Sequence, residues 1–274
     1  MSKNSLRYFV FAAALTMIVA SSAKVGWWFG LISLVVPICW LWPFSLRHTN
    51  SEISSGNINQ ELEFRAGADW QSVASCFAVA WLIAPVFVYL GEALNNLFAT
   101  MSGGAMLTYF ILRAGAVEEI LKLAAVVAVL RFLSPNAIRH PSDGMVLACA
   151  AALGFAAYEN IFHNLYLAEL QTGAFKAFFL GAFIRVPLHP LYAAIWGASF
   201  GISRFTTAHW RLPVLAAGLL TAMFFHGLWD TMAQSQSMLV FALMLMLYAA
   251  LWYGYLRLWK QVRSVPFATA STNQ

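Results

Sequence analysis

The sequence predicts an all-α, polytopic membrane helix bundle of about eight transmembrane helices, with both termini in the cytoplasm. Three observations predict it. Hydrophobic residues fill 61% of the 274 positions and charged residues only 10%, against about 25% charged in a soluble domain. Eight apolar runs approach the roughly 20 residues that a helix needs to cross a bilayer. The basic residues between them alternate between crowded and nearly empty loops, the bias that fixes membrane orientation.

The runs are 6–23, 25–44, 72–93, 105–131, 144–169, 175–203, 212–233 and 237–258. Backbone groups in lipid must be satisfied within their own segment, so these runs are helices rather than open strands. The first run, with Lys3 and Arg7 before it and Ser21-Ser22-Ala23 after it, also resembles a cleavable secretory signal. An uncleaved first span with Lys24 in a tight turn is the expectation, because further hydrophobic spans follow.

With the N-terminus on side one, that side holds Lys3, Arg7, Arg47, Arg65, Arg131, Arg139, Arg204, Arg211, Arg257, Lys260 and Arg263. Side two holds Lys24 and Lys176. Arg113, Lys122 and Arg185 fall inside spans. The crowded side is the cytoplasmic one, and an odd number of spans would scramble the partition.

The polar stretch 45–71, with Glu52, Glu61, Glu63 and Asp69, is too polar to span and too short for a domain. It divides the chain into a two-helix membrane unit (1–44), a cytoplasmic linker (45–71), a six-helix bundle (72–258) and a cytoplasmic tail (259–274). Part of the linker, 61–70, reads as a surface helix, and Asp143-Gly144 as a cap for the fifth span. The net charge of +5 comes without a basic stripe, so nucleic acid is not an expected partner. Cys39, Cys76 and Cys149 are widely spaced in apolar runs and read as free buried thiols. No internal repeat is evident.

The chemistry lies where polar residues interrupt the apolar runs. An ionised side chain at mid-membrane costs at least about 2.5–3.5 kcal/mol, so such residues pair, line a wet cavity or react. The fourth span carries Glu118-Glu119-x-x-Lys122. Residues three or four apart share a helix face, so Lys122 can neutralise one carboxylate and leave the other as a general base. The fifth span carries Phe155-x-x-x-Glu159, with no cation on its own helix to neutralise the glutamate. The sixth carries Arg185-Val186-Pro187-Leu188-His189-Pro190, where two prolines are expected to break the hydrogen-bond ladder around His189. Arg185, one turn away, can balance a carboxylate. The seventh carries His226 and Asp230 on one face, an arrangement in which the aspartate fixes the imidazole tautomer. At about 1.5 Å rise per residue, all these groups fall in one layer at or just outside the midplane.

Glu118-Glu119-x-x-Lys122, Phe155-x-x-x-Glu159, His189 and His226-x-x-x-Asp230, in that order, resemble the PrsW family of bacterial intramembrane proteases, relatives of the CAAX prenyl-protease and bacteriocin-processing superfamily. The resemblance covers about 105–230 and excludes the first two spans and the tail. It implies a catalytic pair Glu118 and Glu119, essential histidines His189 and His226, and Lys122, Glu159 and Asp230 completing the polar cluster. It implies a multi-pass protein of the bacterial cytoplasmic (inner) membrane. Its partners would be the lipid bilayer and a membrane-anchored protein or peptide substrate, an anti-sigma factor in envelope-stress signalling being one type.

The expected reaction is peptide-bond hydrolysis by a water that Glu118 or Glu119 deprotonates. Glu159, His189 and His226 either hold a zinc ion, which needs three N/O ligands and an open position, or position water directly. There is no His-Glu-x-x-His helix. A proton-coupled transporter or channel is the rival reading, since intramembrane Glu, His and Asp also form proton relays. A non-catalytic membrane scaffold is the third.

Overall fold

The structure is a computed structural model that describes residues 3–25, 27–44, 68–98, 105–169, 181–235 and 237–264, excluding the side chains of 17–33 and 162–169. The described residues are helical and contain no strand. The helices are α1 (Lys3–Val25), α2 (Trp27–Phe44), α3 (Trp70–Ile83), α4 (Pro85–Phe98), α5 (Ala105–Phe110), α6 (Val117–Ala128), α7 (Pro141–Glu169), α8 (Val186–Phe205), α9 (Ala208–Ala233) and α10 (Met238–Arg263). Most of the polar linker, including 61–67, and the tail beyond Ser264 lie outside the described residues.

Among the described residues, three helices are long and apolar enough to cross a membrane, over Pro141–Ile161, Ala208–Ala233 and Met238–Arg263. A fourth candidate is α3 with α4, bent by 40° where Pro85 removes a backbone donor. The predicted fourth span, 105–131, is not one regular helix. It runs from Ala105 to Leu133 as α5, a π-helical turn over Ile111–Ala116, α6, and a second π turn over Val129–Leu133. Such wide turns insert a residue into the helical register and leave no compositional trace.

The centre of the bundle is α7. From Met145 to Ala157 its side chains are buried on every face, as a helix surrounded by others must be. Small residues allow its neighbours in. A Cβ on Gly144 would strike the backbone of Gly197 and Gly201 in α8, and one on Gly154 would strike Phe77 in α3. By contrast, α10 lies at the periphery and exposes Met238, Leu239, Phe241, Met246 and Leu256, a surface suited to lipid. Phe44 of α2 stacks on Trp252 of α10, with ring centroids 5.2 Å apart.

The sequence expectation for the proline pair needs correction. Pro187 and Pro190 remove two backbone donors, but the helix is not interrupted around His189. A π turn over Gly181–Arg185 leads directly into α8, Pro187 sits in its first turn, and Pro190 lies inside it. The carbonyl of Phe183, four residues before Pro187, accepts instead from the Tyr248 hydroxyl at 3.3 Å.

Asp143 also differs. It lies within the first turn of α7 rather than capping it, and its carboxylate accepts from the backbone N–H groups of Arg139 at 2.8 Å and His140 at 2.7 Å, with Ala68 at 3.3 Å. It clamps two loops. Asp69 caps α3, accepting from the N–H of Ser72 at 2.7 Å. Arg7 ties α1 to the same end of the bundle, donating to Leu133 O at 3.1 Å and Ser134 Oγ at 2.8 Å. Cys76 and Cys149 are buried free thiols, whereas Cys39 is exposed on the outer surface of α2.

Candidate active site

Two glycines bring the charged part of α6 against α9. A Cβ on Gly115 would strike the backbone of Met223, and one on Gly227 would strike the backbone of Ile111. The π turn before α6 and the ninth helix therefore meet backbone to backbone, the close approach that small residues permit in membrane bundles. Glu118 and Glu119 follow this contact, and His226 precedes Gly227.

Glu118, Glu119, Lys122, Glu159, His189 and His226 all come together here, none more than 6% exposed. Lys122 Nζ donates to Glu119 Oε1 at 2.7 Å, to Glu118 Oε2 at 3.3 Å and to His189 Nδ1 at 3.1 Å. The Phe155 ring lies beneath this ammonium, its centroid 5.0 Å away, a cation–π contact that gives the phenylalanine one turn before Glu159 a role.

The network fixes both imidazole tautomers. Because Lys122 can only donate, His189 Nδ1 accepts, and the proton lies on Nε2, 3.1 Å from Glu159 Oε2. His226 Nδ1 donates to Glu119 Oε1 at 2.9 Å, leaving a lone pair on Nε2. Each histidine thus has its own orienting carboxylate, Glu159 for His189 and Glu119 for His226. Only the His226 Nε2 lone pair is free among the described residues, since that of His189 Nδ1 is taken by Lys122; Glu118 Oε2 is 3.7 Å from the former nitrogen and 3.6 Å from the latter.

The carboxylates divide sharply. Glu119 is saturated, accepting from Lys122, from His226 and from Trp196 Nε1 at 2.8 Å. Glu159 is ion-paired to Arg185. Glu118 accepts a single hydrogen bond among the described residues, the long one from Lys122, and is the least committed of the three.

Two expectations change. The sequence suggests Asp230 as the orienter of His226; among the described residues Asp230 makes no hydrogen bond, because the Nδ1 of His226 is turned toward α6 and Glu119. The sequence groups Glu159 with the histidines as metal ligands. In the structure the group that could hold a metal ion is Glu118, His189 and His226, with one donor atom from each within 4.8 Å of the others, while Glu159 is ion-paired to Arg185 and lies on the far side of His189.

One oxygen and two nitrogens match the donor types and number of a catalytic zinc site. Three carboxylates against Lys122 and Arg185 also leave a net negative charge while both imidazoles are neutral. A divalent ion there would compete with the Lys122 ammonium for the lone pair of His189 Nδ1.

Sequence reasoning missed two residues. Tyr192 and Trp196 lie three and seven residues after His189, on its face of α8. Trp196 is buried and holds Glu119. Tyr192 stacks on the His226 ring at 4.7 Å and 20°. The spacing is the signal that could have found them, but aromatic side chains in an apolar helix look like ordinary core.

A profile described as PrsW family intramembrane metalloprotease matches residues 68–255. The chain is 34% identical over 124 residues to Protease PrsW of Geobacillus kaustophilus (strain HTA426), across 45% of this chain and 52% of that protein. It is 31% identical over 166 residues to Protease PrsW of Bacillus subtilis (strain 168), across 60% of this chain and 71% of that protein. The match thus spans about half the length of the first relative. No solved structure matches the chain. The matched region contains every residue of the buried cluster, and the chain belongs to the PrsW family of intramembrane metalloproteases.

Proposed function

We propose that the chain is an intramembrane endopeptidase that hydrolyses a peptide bond of a membrane-tethered protein, an anti-sigma factor being one such substrate. The observation that carries this reading is the sharing of work among the buried carboxylates. Two are consumed in orienting histidines, and the third lies beside both imidazoles, facing the free His226 nitrogen, with only one weak donor. A structural ion-pair staple would have no use for a carboxylate kept so lightly bound.

In this reading Glu118 takes a proton from water and later returns it to the leaving amine. His189 and His226 fix the position of that water. Glu119, held by Lys122 and Trp196, keeps the His226 lone pair aimed at it, and Glu159 with Lys122 fixes the orientation of the His189 ring. In a metal-dependent variant of this reading, a divalent cation, zinc by its donor set, would be held by Glu118, His189 and His226 and would supply carbonyl polarisation and a more acidic water, Glu118 then serving as a ligand. We further propose the topology that the basic residues suggest: eight spans in the bacterial cytoplasmic membrane, both termini cytoplasmic.

The test is a quantitative comparison of new protein N-termini in membranes from a deletion strain and from the same strain given back the wild-type chain or Glu118→Gln. The proposal expects the wild type alone to restore a defined set of cleavages in membrane proteins. Equal sets from both chains, or none from either, would refute it. Proton movement by the purified chain in liposomes, with no cleavage, would favour a transporter.

A further inference from the structure

We infer that Tyr192 is a catalytic residue, donating the hydrogen bond that stabilises the oxyanion formed during peptide hydrolysis. The inference rests on the hydrolase reading above.

Three observations point to Tyr192. Its side chain is 1% exposed, and its hydroxyl has no hydrogen-bond partner among the described residues. Leaving a buried polar group unpaired is destabilising, so an unused phenol in a site calls for a function. Its ring stacks on His226, which fixes the direction of the hydroxyl relative to the imidazole. The hydroxyl also lies within electrostatic reach of Asp230, Glu119 and Glu118.

The other donors around the histidines are committed. Lys122 spends its three hydrogens on Glu119, Glu118 and His189, and the Trp196 indole is spent on Glu119. Tyr192 is the donor in contact with His226 whose hydrogen is still available. A stacked, fully buried phenol is also preorganised: it has no water shell to shed and no rotamer to search when negative charge develops.

The reaction then balances with this chain's own groups. The water oxygen bonds to the carbonyl carbon as Glu118 takes the water's proton. The carbonyl π pair becomes an oxyanion lone pair that accepts from the Tyr192 O–H. Collapse of the intermediate re-forms the carbonyl, breaks the C–N bond and passes the proton from Glu118 to the amine. Tyr192 keeps its own proton throughout.

Tyr192→Phe removes the hydroxyl and leaves the stack. In the deletion strain, with its own membrane proteome as the probe, Tyr192→Phe is expected to generate the wild-type cleavages about 100-fold more slowly or worse, the usual cost of one oxyanion donor. The purified variant is expected to melt no lower than wild type, since only an unpaired hydroxyl has gone. Tyr192→His, which restores a donor, is expected to recover part of the lost rate. Wild-type rates from Tyr192→Phe, or slow cleavage accompanied by a lower melting temperature and no recovery in Tyr192→His, would overturn the inference. If the wild type restores no cleavage, or Glu118→Gln restores them all, the hydrolase reading itself has failed, which is a separate result.

Discussion

Glu118 and Glu119 are adjacent in sequence and chemically identical, yet the structure gives them different surroundings. Three donors saturate Glu119 and one weak donor touches Glu118. A metal-binding measurement separates the ligands from the orienting groups. Glu118→Gln and His226→Ala are expected to abolish zinc binding by the purified chain, whereas Glu159→Gln weakens it about 10–100-fold, the usual effect of losing an orienting carboxylate. Equal loss in all three, measured by calorimetry or mass spectrometry, would return Glu159 to the ligand set. Lys122→Met should be among the most destabilising changes in the chain, by about 3–5 kcal/mol, because it leaves two buried carboxylates without their cation. Thermal unfolding in detergent reads this directly. The presence of acid, base and imidazole was legible from sequence because each interrupts an apolar run. Their pairing was not. Which carboxylate serves which histidine depends on side-chain direction across helices, so the i, i+4 spacing of His226 and Asp230 suggested a partner that the Glu119 contact displaces.

At the level of elements, the site is assembled by two features that composition does not reveal. The π turn over Ile111–Ala116 shifts the face that α6 presents, and Gly115 with Gly227 sets how closely α9 approaches. Gly227→Val is expected to lower both activity and melting temperature, because its side chain meets the Ile111 backbone rather than a flexible neighbour. Gly254→Ala on α10, where an added Cβ meets nothing within 4 Å, is the matched control and should change neither. The paired prolines of the sixth run looked like a break in the sequence, yet α8 is continuous from Val186. Tyr248 from α10 supplies the Phe183 carbonyl with a donor. Such compensation comes from another helix and cannot be read from the local stretch. Apolar runs and their order were legible; the bend at Pro85 and the π turns, which are changes of register, were not.

For the whole molecule, the all-α membrane class followed from composition alone, and the described residues agree with it. Three helices, or four with the bent pair, meet the length and hydropathy needed to cross. The fuller proposal of eight spans with cytoplasmic termini rests on loop charge, and reporter fusions test it: a phosphatase active only outside the cytoplasm should be silent when joined at 139, 206 or 264 and active when joined near 100 or 236. The buried α7 and the exposed α10 place the charged cluster inside the bundle, with α10 at its periphery. The most direct test of the central claim uses the wild-type chain and Glu118→Gln, each purified and placed in liposomes with a membrane protein that accumulates uncut in the deletion strain. The account predicts a single defined cut by the wild type and a rate at least about 100-fold lower for Glu118→Gln, with both proteins melting cooperatively. Equal cutting by the two would contradict it, because the one carboxylate left free by the network would then have no part in the reaction.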